Sequence, residues 1–171
     1  MRKMTPEKFA AEHKLFWKNP EKYIEMVNGF IRENPDDSTE YFSRHQAWAR
    51  LGKLDKALED LNQSISLEDK VISRLARGSI LCRMGRYQEA LGDFNRSEEF
   101  DPVGWADCWG PLYRANCHAR LGDERAALAD CERLPEDFWS PGIYGEPAGN
   151  KTEITAEIRR RARAAKQNPK S

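Results

Sequence analysis

The sequence has no surplus of charge of either sign: 28 Lys and Arg stand against 28 Asp and Glu in 171 residues, a formal net charge of zero. A protein dedicated to nucleic acid carries a basic excess, so this balance disfavours that class. No apolar run approaches the roughly 18–20 residues that a membrane-crossing helix needs, and the opening MRKMTPEKFAAEH lacks the apolar core of a signal peptide. The expectation is a cytoplasmic chain without a membrane partner. Cysteine is sparse: Cys82, Cys108, Cys117 and Cys131 form no CxxC pair and no zinc-like spacing. They read as small hydrophobes of a reduced protein. There is no P-loop, dinucleotide fingerprint, GxSxG or HExxH. His13, His45 and His118 fall in different helical registers. An enzyme, a cofactor and a metal are therefore not expected. Seven Phe, 5 Trp and 5 Tyr nonetheless ask to be buried, which excludes a disordered chain.

Against these absences stands internal repetition, the feature that decides a fold before any other. ARLGKLDKALEDLNQSI, CRMGRYQEALGDFNRSE and ARLGDERAALADCERLP share Arg, an apolar residue and Gly, then four residues, Ala-Leu, one residue and Asp. Their glycines, Gly52, Gly85 and Gly122, lie 33 and 37 residues apart, either side of a repeat of about 34 residues. Apolar residues flank each glycine at helical spacing, and no stretch alternates as a strand would. Each unit reads as helix, glycine turn, helix.

These residues resemble the tetratricopeptide repeat family. The segment 71–104 carries the family pattern most fully, with Gly78, Leu81, Gly85, Ala90, Phe94, Ser97 and Pro102. The segment 38–70 offers Trp48, Gly52, Ala57, Leu61 and Ser64 but has His45 at the first small position. The segment 105–135 offers Ala115, His118, Gly122, Ala127 and Cys131, and surplus residues precede it. A degenerate helix pair is expected over 4–37, started by Thr5-Pro6-Glu7 and Asn19-Pro20-Glu21. Residues 136–150, rich in Gly, Pro and aromatics, read as a loop. Asn150 and Glu153 then open a helix over 151–166, whose Ile154, Ile158 and Ala162 would cap the last repeat. The resemblance implies one all-α domain over 1–171, a right-handed α-solenoid of antiparallel helix pairs.

Two arginine series recur with the repeat. Arg44, Arg77 and Arg114 precede Asp60, Asp93 and Asp130 by one fixed spacing, 16 residues, and a charge pair across each hairpin is expected. Arg50, Arg83 and Arg120 stand just before each turn. The resemblance implies that first-helix positions line a concave groove where peptides dock. Here those positions include Phe42, Gln46 and Arg50, then Leu75, Ser79 and Arg83, then Leu112, Asn116 and Arg120. The function expected is a protein-interaction adaptor holding an acidic and apolar partner segment. Two rivals stand beside it. One is an accessory subunit whose groove is filled by its own 135–150 loop through Phe138, Trp139 and Tyr144. The other is an RNA- or anion-binding protein using the arginines at 159, 160, 161 and 163. Partner identity and oligomeric state stay open at this point.

Overall fold

Thr5 and Asn19, each followed by proline, start the first two helices. The Thr5 hydroxyl accepts the Lys8 amide at 3.3 Å and opens α1 (Pro6–Lys18). The Asn19 side chain accepts the Lys22 amide at 2.9 Å and opens α2 (Pro20–Glu33). Proline at the first helical position loses no bond there, because that amide has no partner within the helix. The computed structural model describes residues 5–107, 109–142 and 145–168. It continues with α3 (Ser38–Arg50), α4 (Leu54–Leu67), α5 (Val71–Arg83), α6 (Tyr87–Phe100), α7 (Pro102–Asp107), α8 (Gly110–Arg120) and α9 (Glu124–Glu132). A short ribbon, β1 (Trp139–Pro141) and β2 (Ala148–Asn150), precedes α10 (Lys151–Gln167). Among the described residues no helix is long and apolar enough to cross a membrane.

The repeated glycine has a conformational reason. Gly52, Gly85 and Gly122 take φ of 70°, 77° and 79°, a left-handed region that a Cβ disfavours. That bend lets the next amide turn back. Lys53, Arg86 and Asp123 donate to the carbonyls of Trp48, Leu81 and His118, each at 2.9 Å, which satisfies helix-end acceptors that would otherwise be orphaned.

The chain divides into two compact units, Met1–Ser73 and Arg74–Ser171, with the boundary inside α5. In the first, Tyr23, Ile24, Val27 and Ala47 form a buried cluster, against which Leu15, Phe16, Trp48 and Leu51 pack. In the second, Leu112, Ala115, Ala119, Ala127, Cys131 and Leu134 of the α8–α9 region are closed over by Ile154, Ile158 and Ala162 of α10. The cap expected from the sequence is in place, opened by an Asn150–Glu153 capping box. Phe94 is fully buried beneath Gly78, where any added Cβ would overlap its ring. That is why the repeat holds its smallest residue opposite its aromatic one.

Two stretches without helical period are structured nonetheless. The surplus residues ahead of the third clear repeat form α7, which delivers Trp105 to a fully buried place. The 136–150 segment was expected to be all loop. It pairs Trp139 with Asn150 and Pro141 with Ala148 as an antiparallel ribbon. Three residues a side are too few to show an alternating pattern in sequence.

Candidate functional site

The recurrent Arg–Asp pairs come first, because they hold the helices on which any site is built. Arg44 grips Asp60 with two nitrogens, at 2.9 and 2.5 Å. Arg77 grips Asp93 at 2.7 and 2.6 Å, and Arg114 grips Asp130 at 2.9 and 2.6 Å. All three aspartates are buried. The hydrogen bond to Asp60 raises the Arg44 pKa still further above its ordinary value. The third nitrogen of two of these arginines reaches an earlier helix. Arg44 Nη1 donates to Asn28 of α2 at 2.7 Å, and Arg114 Nη1 to Asn95 of α6 at 3.0 Å. In that second network Trp105 lies with the Arg114 and Arg133 guanidiniums 4.4 and 4.6 Å from its ring centroid, a cation–π contact made dry by burial. The sequence expectation of hairpin charge pairs holds at all three positions.

The proposed groove residues are less uniform. In the first unit Gln46 and Arg50 are exposed and Phe42 is half-buried. Arg50 already has an engagement: its guanidinium lies 4.4 Å from the Trp17 ring centroid and donates to the Trp17 carbonyl at 3.2 Å. In the second unit Arg120 is exposed, Ser79 and Arg83 are half-buried, and Asn116 is 8% exposed. Leu75 and Leu112 are buried, Leu112 within the α8–α10 core. These two leucines are floor beneath the site and offer no surface to a partner's side chain.

What covers part of this face belongs to the same chain. Arg161 of α10 donates from Nη1 to the Asn116 side-chain oxygen at 2.9 Å and to the Gly145 carbonyl at 2.6 Å. Its Nε is fixed on Glu157 at 2.7 Å. Pro147 is fully buried. Between them Glu146 is half-buried; burial pushes its carboxyl pKa up, against the opposing charges of Arg83 and Arg161. The self-filling rival named the aromatics for this part. Phe138 packs on the α8–α10 core and meets the Trp109 ring edge-on at 5.4 Å. Trp139 is 63% exposed, and Tyr144 lies outside the described residues. Gly145, Glu146 and Pro147 were missed from sequence. Their only signal there is an acid and a proline inside an aperiodic stretch.

The cysteines require a correction. Cys82 and Cys117 are joined by a disulfide, with Cα atoms 6.6 Å apart, linking α5 to α8. The reading of both as reduced small hydrophobes does not hold, and the argument from cysteine usage to the cytoplasm loses its premise. Each lies beside a candidate residue, Cys82 next to Arg83 and Cys117 next to Asn116. Cys131 fits the earlier reading: it is buried, and burial pushes its thiol up to about 11. Cys108 lies outside the described residues.

The remaining candidates are internally satisfied. Arg160 and Arg161 share Glu157, whose carboxyl they hold down to about 2. Arg159 and Arg163 both reach Glu124, at 3.7 and 2.9 Å. His13 accepts from the Trp17 indole at 2.9 Å, and His45 is buried. His118 is half-buried, 4.0 Å from Asp130. Among the described residues no group of three His, Cys, Asp or Glu side chains could hold a metal ion.

No protein-family model matches the chain. Over 80 residues it is 31% identical to the small glutamine-rich tetratricopeptide repeat-containing protein 2 of Mycosarcoma maydis, covering 46% of this chain and 23% of that protein. It is 36% identical over 80 residues to DnaJ homolog subfamily C member 3 of Rattus norvegicus, covering 46% of this chain and 16% of that one. The matched part thus spans less than a quarter of either relative. Among solved structures, MamA superposes with a TM-score of 0.67 at 15% identity, over 98% of both chains. PilW, a widely conserved type IV pilus biogenesis factor, gives 0.65 at 20% identity over 72% of this chain and 57% of its own. YrrB, described as a TPR protein with an unusual peptide-binding site, gives 0.63 at 14% identity over 93% of this chain and 84% of its own. The fold class is all-α, built from repeated helical hairpins.

Proposed function

We propose that the chain, whose repeated helical hairpins resemble tetratricopeptide repeats, works as a protein-interaction module, and that its second unit receives an extended partner segment on the first-helix face of α5 and α8. One observation carries this reading. The protein's own backbone carbonyl at Gly145 is held by Arg161, which also donates to Asn116 on that face, so the face already engages a stretch of peptide backbone. Ser79, Arg83, Asn116 and Arg120 supply hydroxyl, amide and guanidinium groups there, with no acid among them. The Cys82–Cys117 disulfide fixes the spacing of the two helices, which reduces the ordering cost of binding. Phe42, Gln46 and Arg50 are the corresponding positions of the first unit.

The partner expected is acidic and apolar, bound in a salt-sensitive way. A second reading, an accessory protein whose face is permanently closed by its own segment, is favoured by the same Arg161–Gly145 contact. The RNA-binding reading loses support, because the α10 arginines are engaged with Glu157 and Glu124. The test is to capture partners from the native host, purify one and titrate it against wild type and Arg83→Glu. The interaction reading expects at least tenfold weaker binding by the variant. Equal affinity would count for the permanently closed face.

A further inference from the structure

Each helix joined by the Cys82–Cys117 disulfide is fastened to its own hairpin without it. Arg77 ties α5 to α6 by its fork on Asp93, Arg74 adds a contact at 3.2 Å, and the Phe94 ring lies beneath Gly78. Arg114 ties α8 to α9 through Asp130 and to α6 through Asn95, while Leu112, Ala115 and Ala119 pack in the core that α10 closes. Cutting the disulfide therefore loosens the seam between α5 and α8 and leaves both helices docked. That seam is the face assigned above to a partner. Ser79 and Cys82, three residues apart, share one face of α5, as Cys117 and Arg120 do on α8. The bond thus lies among the groups assigned to binding. Its two sulfurs differ in access: Cys82 is half-buried, whereas Cys117 is 0% exposed. Exchange depends on which sulfur a thiolate can reach, and here that is Cys82. Cys131 stands apart, buried in the α8–α10 core with its thiol pushed up to about 11, so it stays protonated and takes no part.

Resting on the interaction reading above, we propose that Cys82–Cys117 is a reversible redox site that controls the α5–α8 face: a dithiol reduces it by way of Cys82, and partner binding weakens. One thiolate of the dithiol attacks Cys82 Sγ and forms a mixed disulfide. The Cys82–Cys117 bond breaks, and its electron pair leaves on Cys117 Sγ, which takes a proton. The second thiolate then attacks the dithiol's own sulfur in the mixed disulfide, and Cys82 departs as a thiolate and is protonated. The dithiol has become a disulfide, giving up two electrons and two protons, and the protein holds two thiols. The same steps in reverse, with the oxidised dithiol as electron acceptor, restore the bond. While it stands, α5 and α8 keep one spacing before a partner arrives; once it is cut, binding must order them.

Full-length protein equilibrated with reduced or oxidised dithiothreitol tests this first by hydrogen exchange. Reduction should speed exchange about tenfold over 79–83 of α5 and 116–120 of α8, leave α6, α9 and α10 as protected as before, and be undone by re-oxidation. Cys82→Ser should match the reduced protein whether or not dithiothreitol is present. Access is tested with oxidised glutathione and peptide mapping. Cys117→Ser should form a mixed disulfide at Cys82, and Cys82→Ser should form none at Cys117. Unchanged exchange on reduction, loss of protection in α6, α9 and α10 together with the seam, or a Cys82 that glutathione does not modify would each overturn the proposal. The partner captured and purified as above should then bind the reduced protein about tenfold more weakly than the oxidised one. Equal affinity for the two forms, with Arg83→Glu still weakening the partner, removes the redox control and leaves the interaction reading standing.

Discussion

A guanidinium 16 residues ahead of an aspartate in each repeat makes a contact that no apolar side chain of its size could make. Arg77 closes a fork on Asp93, which is 3% exposed. Bidentate pairing of this kind is lost when either partner goes, and Arg77→Ala leaves the buried Asp93 only the longer contact from Arg74 at 3.2 Å. We expect Arg77→Ala and Asp93→Ala each to cost about 3 kcal/mol in denaturant melts, with the double variant well short of their sum. Additive costs would show the pair to be uncoupled. His45 gives a residue-scale effect of the opposite kind. Its ring donates from Nδ1 to the Phe42 carbonyl, and burial lowers its pKa from 6.5 to about 4. The unfolded chain therefore takes up a proton below pH 6.5 that the folded chain refuses. Stability is full above that pH and falls by about 3 kcal/mol as pH 4 is approached. Melting of wild type and His45→Gln across pH 4–7 checks this; equal slopes for the two would assign the acid sensitivity elsewhere.

At the scale of elements, α10 closes the apolar end of the last hairpin. Ile154, Ile158 and Ala162 are at most 1% exposed, and burying an isoleucine is worth about 1.5–3 kcal/mol. A chain ended after Asn150 should melt at lower temperature and associate through the bared α8–α9 face. An unchanged melting curve with a monomeric product would contradict the capping role. This helix, the glycine turns and the Arg–Asp pairs were legible in sequence because each follows from local chemistry: a capping box, a left-handed turn, a fixed spacing of 16 residues. The disulfide was not legible by motif. One cue did exist, since Cys82 and Cys117 are separated by 35 residues, close to one repeat, which places them on first helices of successive hairpins. Ribbon β1–β2 gave no cue, being shorter than any periodic signal.

For the whole molecule, fold was far more legible than site. Repeat positions name the first-helix faces but not what covers them. Leu75 and Leu112 proved to be floor, Arg50 is engaged by Trp17, and the segment reaching Asn116 through Arg161 comes from a stretch with no repeat pattern. Nothing local to Gly145 or Glu146 could announce that contact, because it depends on where α10 turns Arg161. The central claim is that the first-helix face of the second unit meets the partner. Hydrogen exchange of the full chain with and without a purified partner tests it most directly. The account predicts slowed exchange over 79–83 of α5 and 116–120 of α8. Protection confined to α6, α9 or the arginine side of α10, with α5 and α8 unchanged, would contradict it.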